Sequence, residues 1–381
     1  MAIEWAPTLS VERDINEERI AATVIRDIKN AVEAFGQVSE KIKPALCLHL
    51  FNAYIKNNRQ EPAGGYEQEL EKERAKIENI IEAEEKALEN PYLPTIGVEV
   101  ELPDRSDFMV NQSLLNATSK LGLINDPAIH QDGVSWEFAN DFSYSAKTQS
   151  LIVHELIEGD YIKTSSTKQH RYIEGLGDYS MHLNLGVPLE LSENLFNGLN
   201  RKEPADVNMW NRYKYNSYLL TSCMTYAFTS ADRLEKRKTS VMVGLDFTAK
   251  KTAKKTRDEQ SETINQWNFP GRIEIRSLEV RDASLYRLLN EAQLLGSAVL
   301  AEVKPEEKRD EIERALVVFW SVFRNEAGDI LADHNISLKS IDSDPLEAAS
   351  IVRNSNISKQ MRALITKISQ AINGLVNYEE K

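Results

Sequence analysis

The sequence predicts an α+β protein, with a group of short strands that carry polar residues on one face and helical segments at both ends of the chain. Three observations carry the prediction. Gly97-Val98-Glu99-Val100-Glu101-Leu102 alternates apolar and acidic residues with the period of two that a half-buried strand shows. The alternation returns in Ser180-Met181-His182-Leu183-Asn184-Leu185 and in Arg272-Ile273-Glu274-Ile275-Arg276, and Val134–Ala139 adds a further acid, Glu137, on a strand-like segment. On either side of these strands the apolar residues recur every three or four positions, the spacing of amphipathic helices.

Apolar backs and metal- or phosphate-binding fronts on several strands predict one charged sheet face lining a cleft. Two glutamates about 4 Å apart repel by about 4 kcal/mol at an effective dielectric near 20, so Glu99 and Glu101 require water or a cation beside them. One such strand alone reads more readily as a solvated face; its recurrence points to a site.

Composition narrows the class. The chain has 381 residues, 28% charged and 41% hydrophobic, enough for a large core and too apolar for disorder. A net charge of −13 disfavours a nucleic-acid surface. No apolar run approaches the ~20 residues needed to span a membrane, and the N-terminus lacks a signal pattern, so no membrane association is expected. Cys47 and Cys223 sit in apolar, helix-like surroundings and read as core residues, which fits a reducing, cytoplasmic setting.

In order, residues 1–90 read as a helical N-terminal module. Ser10 or Asp14 would cap a helix through Ile20, Val24, Ile28 and Val32, and Leu46, Leu48, Leu50, Phe51 and Tyr54 mark another. His49 within it reads as a packed core histidine. After a break at Pro62–Gly65, Tyr66–Asn90 reads as one strongly charged helix whose many acids form a solvated face. Pro91–Pro94 ends it.

Residues 91–303 then hold the strands as a core. Ser113–Leu121 reads as a helix, and Asp132-Gly133 as a turn into the Glu137 strand. Ser143 or Ser145 would cap a helix carrying Leu151, Ile152, Leu156 and Ile157, with Glu155 and Glu158 as surface charges. Pro204–Lys236 reads as one long helix with core aromatics at Trp210, Tyr213, Tyr215, Tyr218, Tyr226 and Phe228. The basic stretch 250–257 is either a solvated loop or a flap over a polyphosphate. Asp282 would cap a helix through Leu285, Leu288, Leu289, Leu295 and Val299.

Residues 304–381 form a helical C-terminal module. Leu316, Val317, Phe319, Trp320 and Phe323 supply one apolar face. Ile357, Met361, Leu364, Ile365, Ile368, Ile372, Leu375 and Val376 supply another.

The four glutamates, His182 and Asn184 form an oxygen-rich, thiolate-free donor set, which selects Mg²⁺ or Mn²⁺ over structural zinc. Arg272 and Arg276 beside Glu274 add the guanidinium forks that suit phosphate. No P-loop, Gly-x-Gly-x-x-Gly or Gly-x-Ser-x-Gly occurs.

Taken in this order, Glu-x-Glu, Trp136-Glu137-Phe138-Ala139, His-x-Asn and Arg-x-Glu-x-Arg are similar to the motifs of the glutamine synthetase and glutamate–cysteine ligase superfamily, which includes the amidoligases, or carboxylate–amine ligases. The resemblance covers roughly residues 95–300. It implies a curved antiparallel sheet, a glutamine synthetase-like core, and an ATP- and Mg²⁺-dependent enzyme that joins a small-molecule or peptide carboxylate to an amine through an acyl phosphate. On that template Glu99, Glu101, Glu137, His182 and Glu274 bind metal. His182, Asn184 and Arg276 contact nucleotide or substrate, and Arg276 and Arg272 hold the transferring phosphoryl group. Two other readings use the same residues: a non-catalytic scaffold of this superfamily, and a metal-dependent phosphotransferase. The acidic helices and long apolar stripes are compatible with a homo-oligomer.

Overall fold

The apolar spacing of three and four at the start of the chain does produce helices. The computed structural model describes residues 22–36, 42–58, 60–102, 129–132, 135–139, 145–158, 180–188, 191, 206–228, 272–279, 285–336 and 355–377. The expected caps at Ser10, Asp14, Ser143 and Asp282, the Ser113–Leu121 helix, and the basic stretch 250–257 lie outside these residues. The described chain is an α+β protein, mostly helical, with antiparallel strand pairs. It divides into two compact units: one holds residues 1–86, 99–179 and 280–283, and the other holds 87–98, 180–279 and 284–381.

The first unit starts with helix α1 (22–34), whose Ile25, Ile28 and Val32 are buried. Helix α2 (Lys43–Lys56) follows, with a proline in its first turn, where a missing N–H costs nothing. Leu46, Cys47, Leu48, Leu50 and Phe51 are buried, and burial pushes the Cys47 thiol up to about 12, as befits an inert core cysteine. Gly64 and Gly65 turn the chain with φ of +98° and +81°, a left-handed conformation that only glycine adopts at little cost.

The predicted single helix over Tyr66–Asn90 is instead two, α3 (Gly65–Lys72) and α4 (Arg74–Glu89), divided at Glu73. Most of their acids do face water, in Lys72–Glu69, Lys76–Glu73 and Lys86–Glu82 pairs. Glu84 does not. It is 0% exposed and accepts hydrogen bonds from Ser145 N–H (3.0 and 3.2 Å to its two oxygens) and Thr148 Oγ1 (2.6 Å). Ser145 is the cap of α5 (Ala146–Glu158): its Oγ accepts from Thr148 N–H at 3.2 Å. Glu84 therefore places a carboxylate at the positive end of α5.

The expectation of two surface acids on α5 holds for Glu158, which pairs with Lys56 at 2.7 Å, and fails for Glu155, which is 2% exposed. Glu155 is compensated from α2. His49 Nδ1 lies 3.2 Å from Oε1, and Asn52 Nδ2 donates to Oε2 at 3.0 Å and to the Glu155 backbone carbonyl at 2.7 Å. His49 is accordingly a half-buried ion-pair partner, not a histidine packed in apolar core. Burial alone would lower its pKa, but the hydrogen bond and charge of Glu155 outweigh this and raise it. Burial likewise opposes ionisation of Glu155, yet His49 and Asn52 bring its carboxyl below the ordinary value.

This unit also holds β2 (Ile129–Asp132), β3 (Ser135–Ala139) and the C-terminal part of β1 (Ile96–Leu102), in the order β2-β3-β1. β3 runs antiparallel to both neighbours.

The second unit is built around α7 (Leu285–Val303), which is buried along nearly its whole length. A helix buried along most of its length needs partners on several sides. It packs on α6 (Val207–Phe228), α8 (Glu311–Asp333), α9 (Ser355–Val376) and β4 (Ser180–Gly186). Gln293 donates to the Pro94 carbonyl at 2.7 Å, and Gly296 lets the helix approach the sheet: a Cβ there would lie 2.8 Å from Leu185 Cδ1. Helix α8 opens with a capping box between Asp310 and Glu313. Its Leu316, Trp320 and Phe323 are buried, with the two rings stacked at 5.2 Å. Val317 and Phe319 are only half-buried, so the apolar face is narrower than the sequence suggested. The stripe predicted for α9 is buried as expected, with Leu375 half-buried.

Helix α6 packs on the second strand, β5 (Arg272–Glu279), and its Tyr213, Tyr226 and Phe228 are buried. Tyr215 and Tyr218 are half-buried. β4 and β5 are antiparallel, and the Gly186 N–H donates to the Thr95 carbonyl at 2.9 Å, next to the start of β1.

Candidate functional site

The strands place the predicted residues in two groups, one in each unit. In the first, Glu99 lies opposite Ala139 and Glu101 opposite Glu137. The same rung continues onto β2, where His130 lies opposite Glu137. Sequence reasoning missed His130 because Ile129-His130-Gln131-Asp132 has no apolar alternation, so nothing marks it as a strand. The side chains of Glu101, Glu137 and His130 lie outside the description.

In the second unit, all five predicted residues fall on one antiparallel pair. Asn184 lies opposite Glu274, and Gly186 opposite Arg272. Between these rungs and the other end of the pair the register shifts. Met181 faces Leu278 and Leu183 faces Ile275, so His182 alone faces two residues, Arg276 and Ser277. Two residues against one is a β-bulge. Such bulges bend the strand and re-aim side chains, and they concentrate beside active sites. The bulge falls at two of the five motif positions on this pair, His182 and Arg276. The side chains of Arg272, Glu274 and Arg276 are outside the description.

The described polar side chains on the strands of each unit are covered. Glu99 is 8% exposed, His182 7% and Asn184 1%, and the alternating residues Val98, Val100, Met181, Leu183 and Leu185 are buried as well. Both faces of β4 therefore lie in the interior, whereas a strand with a solvated polar face would expose every second residue. Glu99, in its own unit, and His182 and Asn184 each make polar or electrostatic contacts. In such surroundings a charge acts more strongly on its neighbours than it would in water.

The donor chemistry of these positions suits a hard divalent cation and phosphate oxygens: carboxylates, one imidazole, one amide oxygen and, on β5, two guanidinium residues. Among the described side chains no three of His, Cys, Asp or Glu stand together as a metal-holding group, and Glu101, Glu137 and Glu274 fall outside that set. No described helix is long and apolar enough to cross a membrane. No protein-family model, curated protein or solved structure matches the chain.

Proposed function

We propose that the protein is an ATP- and Mg²⁺-dependent carboxylate–amine ligase with a glutamine synthetase-like core, working in the cytoplasm on a small-molecule or peptide acid and amine. The observation that carries this reading is the β4–β5 pair. His182, Asn184, Arg272, Glu274 and Arg276 sit within a few rungs of one another, with a bulge at His182 and Arg276. The other donors this reading calls on are Glu99, Glu101 and Glu137, the last two directly opposite each other across β1 and β3.

In this reading Glu99, Glu101, Glu137 and Glu274 give carboxylate oxygens to Mg²⁺, and His182 gives an imidazole nitrogen. When bound, the metal neutralises phosphate charge. Arg276 and Arg272 hold the γ-phosphoryl oxygens while the group passes to the acid substrate's carboxylate, and Asn184 orients substrate. The amine nitrogen then attacks the activated carbonyl, and phosphate leaves with the oxygen that was activated. Phosphoryl transfer of this loose kind needs positioning and charge neutralisation more than a protein nucleophile, and the proposed residues are of those two kinds.

The test is a thermal-shift titration of the full chain with Mg²⁺, with ATP, and with both, repeated on Glu274→Gln and Arg276→Met. A ligand at about 100 times its Kd adds about 2.7 kcal/mol of stability. The expected result is a shift that needs Mg²⁺ and ATP together and is lost in both variants. ADP release in a screen of acids and amines follows from it, with amide product separating a ligase from a phosphotransferase. A parent protein that shows no shift with Mg²⁺ and ATP overturns the reading.

A further inference from the structure

A second polar site lies wholly in the first unit, independent of the proposed ligase residues. A cavity of about 540 Å³ opens between α2, the 62–76 segment and α5, and His49, Asn52 and Glu155 line it. That volume is in the range of small-molecule sites. Glu155 fixes the other two side chains. Its Oε1 takes His49 Nδ1, and its Oε2 and backbone carbonyl take Asn52 Nδ2. This leaves His49 Nε2 and Asn52 Oδ1, on side chains three residues apart on one helix face. Both atoms are buried and neither has a hydrogen-bond partner, and Asn52 as a whole is 3% exposed. Buried polar atoms are almost always satisfied, so two orphans beside one cavity point to a ligand that completes them.

The two atoms ask for opposite things. With Nδ1 turned to a carboxylate, a protonated His49 presents an Nε2–H donor that favours an anionic oxygen, and Asn52 Oδ1 accepts only. The remaining lining is charged but balanced. The pairs Lys56–Glu158, Lys72–Glu69 and Lys76–Glu73 put three ammonium groups and three carboxylates around the cavity. This lining carries no excess of either charge, while a molecule bearing both charges finds a partner for each.

We propose that this cavity binds a free α-amino acid as its zwitterion, the carboxylate on His49 Nε2–H and the ammonium on Asn52 Oδ1. The experiment is hydrogen–deuterium exchange of the full chain with glycine, L-alanine, L-glutamate or L-lysine, against acetate, methylammonium and acetamide. The expected result is saturable protection of peptides from both α2 and α5 with at least one amino acid, and none with the three fragments. His49→Gln keeps a donor toward Glu155 but removes the imidazolium, and is expected to weaken that binding at least tenfold. The imidazole carbon shifts of the parent protein, followed by NMR in the same titration, give a readout that needs no variant. Protection by acetate or methylammonium equal to that by the amino acids overturns the proposal, as does the absence of any change in α2 and α5.

Discussion

Replacing Glu84 tests whether a buried acid can serve as a helix anchor. Two donors, Ser145 N–H and Thr148 Oγ–H, end on its carboxylate, and it is fully buried. Hydrogen bonds to a charged acceptor contribute about 1.5–3 kcal/mol each, and a charge at a buried helix start adds up to ~2 kcal/mol. Against this stands the cost of taking a carboxylate out of water, several kcal/mol. The donors decide the sign. Glu84→Leu fills the volume but leaves a buried N–H and a buried hydroxyl without acceptors, so a loss of about 3–5 kcal/mol is expected. Glu84→Gln keeps the shape and one acceptor oxygen but turns an NH₂ toward a donor, and about 2 kcal/mol is expected to be lost. Urea denaturation followed by far-UV circular dichroism measures both. Amide exchange in residues 146–158 localises the effect, with about tenfold faster exchange per 1.4 kcal/mol if α5 opens locally. In a double-mutant cycle, Thr148→Val and Glu84→Leu are expected to couple by about 1–2 kcal/mol. Equal or greater stability in Glu84→Leu would refute the reasoning, because desolvation would then outweigh the two hydrogen bonds.

Other substitutions probe the second unit and the His49 pair. Trp320 is fully buried and its Nε1 has no acceptor, so Trp320→Ala is expected to cost about 3–5 kcal/mol. Trp320→Phe, which also removes the orphan donor, is expected to cost only about 1 kcal/mol by denaturant titration; equal costs would mean the indole N–H is satisfied. Gly296→Ala gains about 1 kcal/mol of helix propensity but drives a methyl to 2.8 Å from Leu185 Cδ1 and 3.3 Å from Pro94 Cγ. With overpacking at about 1–3 kcal/mol, a net loss of about 1 kcal/mol is expected, and a stabilised variant would show that β4 gives way. For His49→Gln the difference from the parent depends on pH. His49 is raised from 6.5, so its share is complete below 6.5 and lost as pH climbs through the folded value. Glu155 is lowered from 4.5, so its share is complete above 4.5 and lost as pH falls through its folded value. Stability curves of the two proteins should therefore lie furthest apart between 4.5 and 6.5 and converge on both sides.

What the sequence shows plainly is what local periodicity controls. β1, β4 and β5 follow from alternation, α9 from its stripe, and the end of α4 from Pro91. What it hides is decided by residues far apart in the chain. Glu84 and Glu155 read as surface acids because an acid in a helical window normally is one. Their burial depends on partners 61 and 106 residues away, which no local pattern contains. The break at Glu73 is silent for a related reason: both α3 and α4 keep buried residues on one stripe, and the turn between them needs no glycine or proline. The bulge opposite His182 is a property of two strands in register, and either strand alone reads as regular.

The burial of His182 and Asn184 on β4 bears on the choice between a site and a ladder of structural ion pairs. The sequence predicts a front open to a cleft, yet Glu99, His182 and Asn184 are all less than a tenth exposed. An imidazole and an amide on successive same-face positions of an interior strand carry a desolvation cost that two apolar residues would avoid. A fold held only by packing has no use for that pattern at His182 and Asn184, and less for a bulge there, since the extra residue interrupts the ladder at the same point. Replacement by residues of similar volume separates the two explanations. If the polar pair is structural, His182→Leu with Asn184→Leu lowers stability. If it is kept for chemistry, the double variant holds or gains stability and loses the joint Mg²⁺ and ATP shift, as expected where polar groups are retained at a functional site at the expense of the fold.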